Sequence, residues 1–198
     1  MTAYYIDDTV MCVMSYVVDR VCGVTVLDNI MYVVCYESST ILLYNTDTYS
    51  PLDVVINVTG MKCPHDIVVC RDDRQLYVAD GVSLFTPHCI WRVSADDHLD
   101  QEKWLPTKST TDTFHVYTLS VTSRRLLVTS YIPVSLRQYS MTDRQLLRVV
   151  QLPGYVQYLY HGVETTRGTF VIGHRGTSQN KWQHAVSELI RFCRNYFE

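Results

Sequence analysis

Short apolar blocks and polar turns alternate along the whole chain, and they recur in one fixed order. Each unit opens with a short apolar strand, passes through a polar turn, and continues into a second strand rich in Leu, Tyr and Val. The second strands centre on Met31-Tyr32-Val33-Val34, Leu76-Tyr77-Val78-Ala79, Leu126-Leu127-Val128-Thr129 and Thr169-Phe170-Val171-Ile172. With Tyr32, Tyr77, Leu127 and Phe170 taken as equivalent, the spacings are 45, 50 and 43 residues. A third strand begins each time near Ile41, Ile90, Leu136 and Val186, at spacings of 49, 46 and 50 residues. Independent anchors that keep one period indicate a repeat architecture.

The third strands share a plan. Ile41-Leu-Leu-Tyr-Asn-Thr-Asp47, Ile90-Trp-Arg-Val-Ser-Ala-Asp96 and Leu136-Arg-Gln-Tyr-Ser-Met-Thr-Asp143 each run into a small polar pair that closes on Asp. In Ile90-Trp91-Arg92-Val93, Ile90 and Arg92 face one side and Trp91 and Val93 the other, the period of a strand. The closing Asp suits a hairpin turn, because its carboxylate can accept from its own backbone two residues on. Weaker fourth strands follow at Leu52–Val58, Glu102–Leu105 and Gln145–Gln151. Four short antiparallel strands in about 45 residues match a β-propeller blade. An all-β sandwich also shows frequent turns, but it has no reason to repeat a four-strand order at one period.

The second unit carries a family resemblance. Cys63-Pro64-His65-Asp66-Ile67-Val68-Val69, then Gln75-Leu76-Tyr77-Val78-Ala79-Asp80 and Cys89-Ile90-Trp91-Arg92-Val93, resembles an NHL repeat of the six-bladed TolB-like propeller class. Val68-Val69 stands where such repeats usually have Ala-Val. The other units are degenerate, with Cys22-Gly23-Val24 and Phe114-His115-Val116 at their entries. The resemblance spans roughly residues 20–190 and implies propeller architecture, with blades at about 20–61, 62–110, 111–154 and 155–190. Such propellers serve ubiquitin-ligase subunits, RNA-binding regulators, receptors and lyases, so the resemblance alone does not choose a function.

Both ends depart from the period. Thr9–Val18, within residues 1–19, reads as one apolar strand that either belongs to a preceding blade or closes the ring. Repeat alignment makes His184–Ile190 a third strand, whereas Trp182, Ala185, Val186, Leu189, Ile190, Cys193 and Tyr196 also fall at helical spacing. The strand is favoured to about residue 190, with residues 191–198 as a tail. Gly173-His174-Arg175-Gly176 reads as the connection between second and third strands of the last unit. The 198 residues therefore hold about four blades, an incomplete or open ring rather than a tidy closed one. The expectation is a fragment of a larger propeller.

Composition narrows the class. With 47% hydrophobic and 19% charged residues, the chain is not of the disordered type. No run approaches the roughly 18 apolar residues of a membrane span. The start, Met1 to Asp8, is acidic where a secretory signal would be basic. Seven cysteines, an odd number with no CxxC pair, sit mostly in apolar runs and read as reduced, packed thiols. A cytoplasmic location follows as the expectation.

Two sets of side chains are candidates for recognition. His65, His115 and His161 stand at the starts of first strands, where a propeller would gather them toward the channel mouth. Leu84 and Phe85, in the loop 81–88, add apolar residues suited to a protein partner. On the opposite face, the first-to-second turns carry Arg71, Arg74, Arg124, Arg125 and Arg167, a candidate anion patch shared with Asp72, Asp73, Asp96 and Asp97. Hairpin turns need solvated residues in any case, and that is the favoured reading of these arginines.

No Gly-x-Ser-x-Gly occurs, and no catalytic set, metal site or cofactor is expected. The leading expectation is a non-enzymatic module that binds a protein, as part of a regulatory or ubiquitin-ligase-type protein, with no membrane or DNA partner. An RNA-binding propeller is the second reading. A net charge of -3 and only four lysines, Lys62, Lys103, Lys108 and Lys181, oppose it. A gluconolactonase-like metal-dependent hydrolase is the third; propellers of that type hold a cation with Glu, Asn and Asp, and only Asp66 offers a match here.

Overall fold

The structure is a computed structural model that describes residues 20–81, 88–106, 114–175 and 184–189. The described strands form four antiparallel sheets, each a meander in chain order. The first holds β1 (Val21–Leu27), β2 (Ile30–Cys35), β3 (Thr40–Asn45) and β4 (Pro51–Asn57). In the second are β5 (Pro64–Cys70), β6 (Gln75–Asp80), β7 (Cys89–Ser94) and β8 (Gln101–Pro106). The third runs β9 (Val116–Thr122), β10 (Arg125–Tyr131), β11 (Val134–Ser140) and β12 (Leu146–Val150). The fourth has three described strands, β13 (Tyr158–Glu164), β14 (Phe170–Arg175) and β15 (His184–Leu189). Among the described residues no strand pairing joins the fourth sheet back to the first.

The period-2 pattern explains how the sheets stack. In β2, Tyr32 and Val34 enter one core with Leu76 and Val78 of β6, while Met31, Val33 and Cys35 enter a cluster on the other face. In β6, Tyr77 and Ala79 turn the other way and pack with Leu119, Leu126 and Val128. In β10, Leu127 reverses again, against Phe170 and Ile172. One apolar core thus fills each gap between successive sheets, and the second strands read as continuous apolar runs because both faces are covered. First strands of neighbouring sheets lie in contact, β1 with β5, β5 with β9 and β9 with β13. Gly23 makes the first of these contacts possible: a Cβ there would lie 2.8 Å from the Ile67 nitrogen and 2.9 Å from the Asp66 Cα.

Each first strand carries an irregularity near its start. Val21 and Gly23 face the adjacent residues Cys35 and Val34, so Cys22 is extra. In the same way His65 is extra between Pro64 and Asp66, and Tyr160 between Leu159 and His161. In β9, Tyr117 and Thr118 together stand where β10 offers one residue, since Val116 faces Ser130 and Leu119 faces Val128. A β-bulge of this kind bends the strand and re-aims a side chain. It recurs four times at the equivalent place.

Two sequence expectations are settled here. Gly173, His174 and Arg175 are not a loop: they lie in β14, where His174 faces Leu159 and Ala185. Buried His174 packs against Tyr155, and those cross-strand partners hold the segment extended despite its glycine. His184–Leu189 is a strand paired with β14, which favours the repeat alignment over the helical spacing for those residues. Thr9–Val18, residues 191–198 and the remainder of the helical stripe lie outside the described residues. Among the described residues no helix is long and apolar enough to cross a membrane.

Candidate functional site

The bulge residues converge. His65 stands between Tyr36 and Tyr117, with ring centroids 6.1 and 6.0 Å away. Tyr117 meets Tyr131 edge-on, at 5.4 Å and 75°. Tyr131 then reaches His115 at 5.7 Å, and His115 reaches His88 at 4.3 Å. Tyr160 joins from β13, where its carbonyl accepts from the Thr118 hydroxyl at 3.0 Å. Tyr117, Tyr131, Tyr158, Leu159 and Tyr160 line an open cleft of about 270 Å³ between the third and fourth sheets. Leu159 is fully buried beneath it, whereas Tyr158 is 48% exposed. Burial pushes the Tyr117 hydroxyl above its ordinary pKa, so it remains a neutral phenol.

Hydrogen bonds fix the frame around this row. The Nε2–H of His65 donates to the Gly81 carbonyl, which sets the ring angle. His88 Nδ1 lies 3.3 Å from the Val116 carbonyl, which can only accept, so His88 Nε2 receives the His115 Nδ1–H at 2.7 Å. Asp66 ties the second sheet to the third. Its carboxylate accepts from the Ile67 N–H at 2.9 Å and from the Leu119 N–H at 2.8 Å. Desolvation raises its pKa to about 7, although both hydrogen bonds oppose the shift. Asp80 is buried and receives the N–H groups of Lys62 (3.2 Å) and Cys63 (2.7 Å) and the Trp91 indole N–H (2.9 Å). The closing Asp of the Leu-Tyr-Val-Ala-Asp strand is therefore a structural hub.

The candidate histidines come partly together. His65 occupies a bulge, His115 precedes β9 and is buried, and His161 follows the bulge residue Tyr160 and is exposed. They flank the tyrosine cleft rather than share one point. Among the described residues no group of three or more His, Cys, Asp or Glu is placed to hold a metal ion. Leu84 and Phe85 lie outside the described residues.

Arg71, Arg74, Arg124 and Arg125 each reach a carboxylate or carbonyl of an adjacent sheet. Arg74 pairs with Asp28 at 2.7 Å and Asp96 at 2.9 Å, and Arg71 donates to the Val26 carbonyl at 3.3 Å. Arg124 approaches Asp73 at 3.8 Å. Arg125 and Arg148 both reach Glu164, at 3.5 and 2.7 Å, and that carboxylate is 1% exposed. Gln138 completes the network by donating to Glu164 at 2.7 Å. Arg167 is exposed in the β13–β14 turn.

The five described cysteines are free thiols, and burial raises the pKa of each, to about 11 for Cys35 and about 12 for Cys89. A raised thiol pKa leaves little nucleophilic thiolate at neutral pH. The tyrosines were the residues sequence reasoning passed over. Their signal was local: Tyr117 lies two residues after His115, and Tyr160 directly precedes His161, in a chain with 15 tyrosines.

No protein-family model matches the chain, and no curated protein matches it. Solved structures do resemble it. One is described as Kuenenia stuttgartiensis hydrazine synthase, with a TM-score of 0.61 and 12% identity over 80% of this chain and 45% of that one. The present chain thus spans less than half of that protein's chain. Another is the computationally designed Ika4 protein, with a TM-score of 0.55 and 11% identity over 86% of this chain and 92% of that one. At such identities the likeness concerns the fold. The all-β repeat of antiparallel sheets is compatible with a propeller-like fold.

Proposed function

We propose that the chain is a non-enzymatic protein-interaction module whose four sheets are blades of an NHL-like β-propeller with an open or incomplete ring. The successive contacts of β1, β5, β9 and β13 support that arrangement, with first strands innermost. The observation that carries the functional reading is the recurrent bulge. At the same place in four sheets it presents Cys22, His65, Tyr117 and Tyr160, and the last three build one aromatic rim beside an open cleft. Tyrosine gives a large, stiff contact area with a polar tip, which suits a protein interface. Free, packed thiols suit a reducing, cytoplasmic setting. The module would serve a larger regulatory or ubiquitin-ligase-type protein.

Site-specific photo-crosslinking tests this reading. A photoreactive amino acid placed at Tyr158 in the full chain, expressed in cells of origin, is expected to trap one protein partner. The adduct should be lost when Tyr160→Ala is added. Adducts with RNA alone, or an adduct yield indifferent to Tyr160→Ala, would overturn it.

A further inference from the structure

The tyrosine cleft carries a more specific inference, which rests on the interaction reading of the same site. We infer that it receives a methylated ammonium group, carried on a lysine side chain of the protein partner. Tyr117 and Tyr131 stand at 75° with centroids 5.4 Å apart, so they form two walls of a corner. Tyr158 and Tyr160 close it from β13, and Leu159 lies at its floor. A cation within about 6 Å of an aromatic centroid is attracted by the negative face of the ring, and the corner is small enough for one cation to reach more than one ring. Its volume of about 270 Å³ lies below the roughly 300–1,000 Å³ of small-molecule pockets, which suits a single side chain.

The same rim already holds a cation on a tyrosine. The guanidinium of Arg20 lies 4.2 Å from the centroid of Tyr36, the ring next to His65 in the aromatic row. None of the described lining residues is basic, so none of them opposes an incoming cation. The choice of a methylated group follows from hydration. A bare lysine ammonium is compact and strongly hydrated, and the faces of the rings and a leucine do not replace that water. Methyl groups shed that water and pack on the rings while the charge remains.

The test uses the full chain with labelled tyrosines, followed by NMR. The probes are a short Gly-Ser peptide bearing one trimethyllysine, the same peptide with unmodified lysine, and one with the uncharged tert-butyl isostere. Choline and phosphatidylcholine vesicles are run alongside as other sources of the same chemistry. The trimethyllysine peptide is expected to shift the Tyr117 and Tyr131 ring signals and to bind at least about fivefold tighter than the uncharged isostere. Tyr160→Phe, which keeps the ring face, should retain that ratio. Tyr160→Leu should abolish it with an unchanged melting temperature. Equal binding of the isostere would overturn the inference by showing a merely apolar cleft, and vesicle binding without peptide binding would assign the site to lipid. A crosslinked partner at Tyr158 together with equal isostere binding would sink this inference alone and leave the interaction reading standing.

Discussion

Asp66 and Glu164 are both carboxylates that bridge neighbouring sheets, yet their surroundings set them apart. Asp66 is held by two backbone N–H groups, and desolvation raises its pKa to about 7. The folded chain then keeps the Asp66 proton more tightly than the unfolded chain does. Its contribution to stability is complete below about pH 4 and is lost as pH rises toward 7. Asp66→Asn should remove this component: subtracting its urea-unfolding profile from that of the wild type should leave a decline between pH 4 and 7. A difference that stayed flat would refute the assignment. Glu164 has cationic partners instead, with Arg148 at 2.7 Å and Arg125 at 3.5 Å around a carboxylate that is 1% exposed. Removing its nearest cation leaves the buried Glu164 carboxylate short of a charged partner, so Arg148→Ala should cost about 1.5–3 kcal/mol. Equilibrium denaturation measures the loss, and Glu164→Gln, which keeps a hydrogen-bonding side chain, should lose less.

At the level of strands, the period of apolar residues was enough to read the order of units, because both faces of β2, β6 and β10 are buried and their runs are continuous. Weak outer strands were legible as well, since Ile56 and Val150 still point inward within them. The bulges were not legible. One extra residue leaves the apolar pattern nearly unchanged, and the ladder that defines it belongs to the partner strand. For that reason His65, His115 and His161 looked equivalent in sequence, although only His65 occupies a bulge. His174 was misplaced because flanking glycines suggested a loop, while cross-strand neighbours hold it in β14. Turn chemistry gives a further test. Ser123 and Arg124 join β9 to β10 with φ of 45° and 60°, a conformation that favours Asn-Gly. The exchange Ser123→Asn with Arg124→Gly should raise stability by about 0.5–1 kcal/mol, seen as a higher melting temperature. Losing the Arg124–Asp73 contact matters little, because at 3.8 Å it joins two exposed side chains.

Across the molecule, ion pairs accompany each apolar core: Arg74 with Asp28, Arg144 with Glu102, and Arg148 with Glu164 join successive sheets. Of the arginines in the candidate anion patch, Arg74, Arg124 and Arg125 also serve as ties between units. The outer strands are less guarded. Val54 and Val55 on β4 are 49% and 55% exposed, and Leu146, Leu147 and Val149 on β12 are exposed too. Apolar edge strands invite pairing with other chains. Val55→Lys should lower self-association in light scattering while leaving the melting temperature within about 2 °C, since surface changes of this kind usually cost little. The repeated bulge has a wider consequence. Because the extra residue stands outside the hydrogen-bonded ladder, its identity is released from the demands of register. Cysteine, histidine and tyrosine already occupy the same place in different units. The frame thus carries a row of exchangeable sockets, each of which accepts a different side chain without refolding the rest.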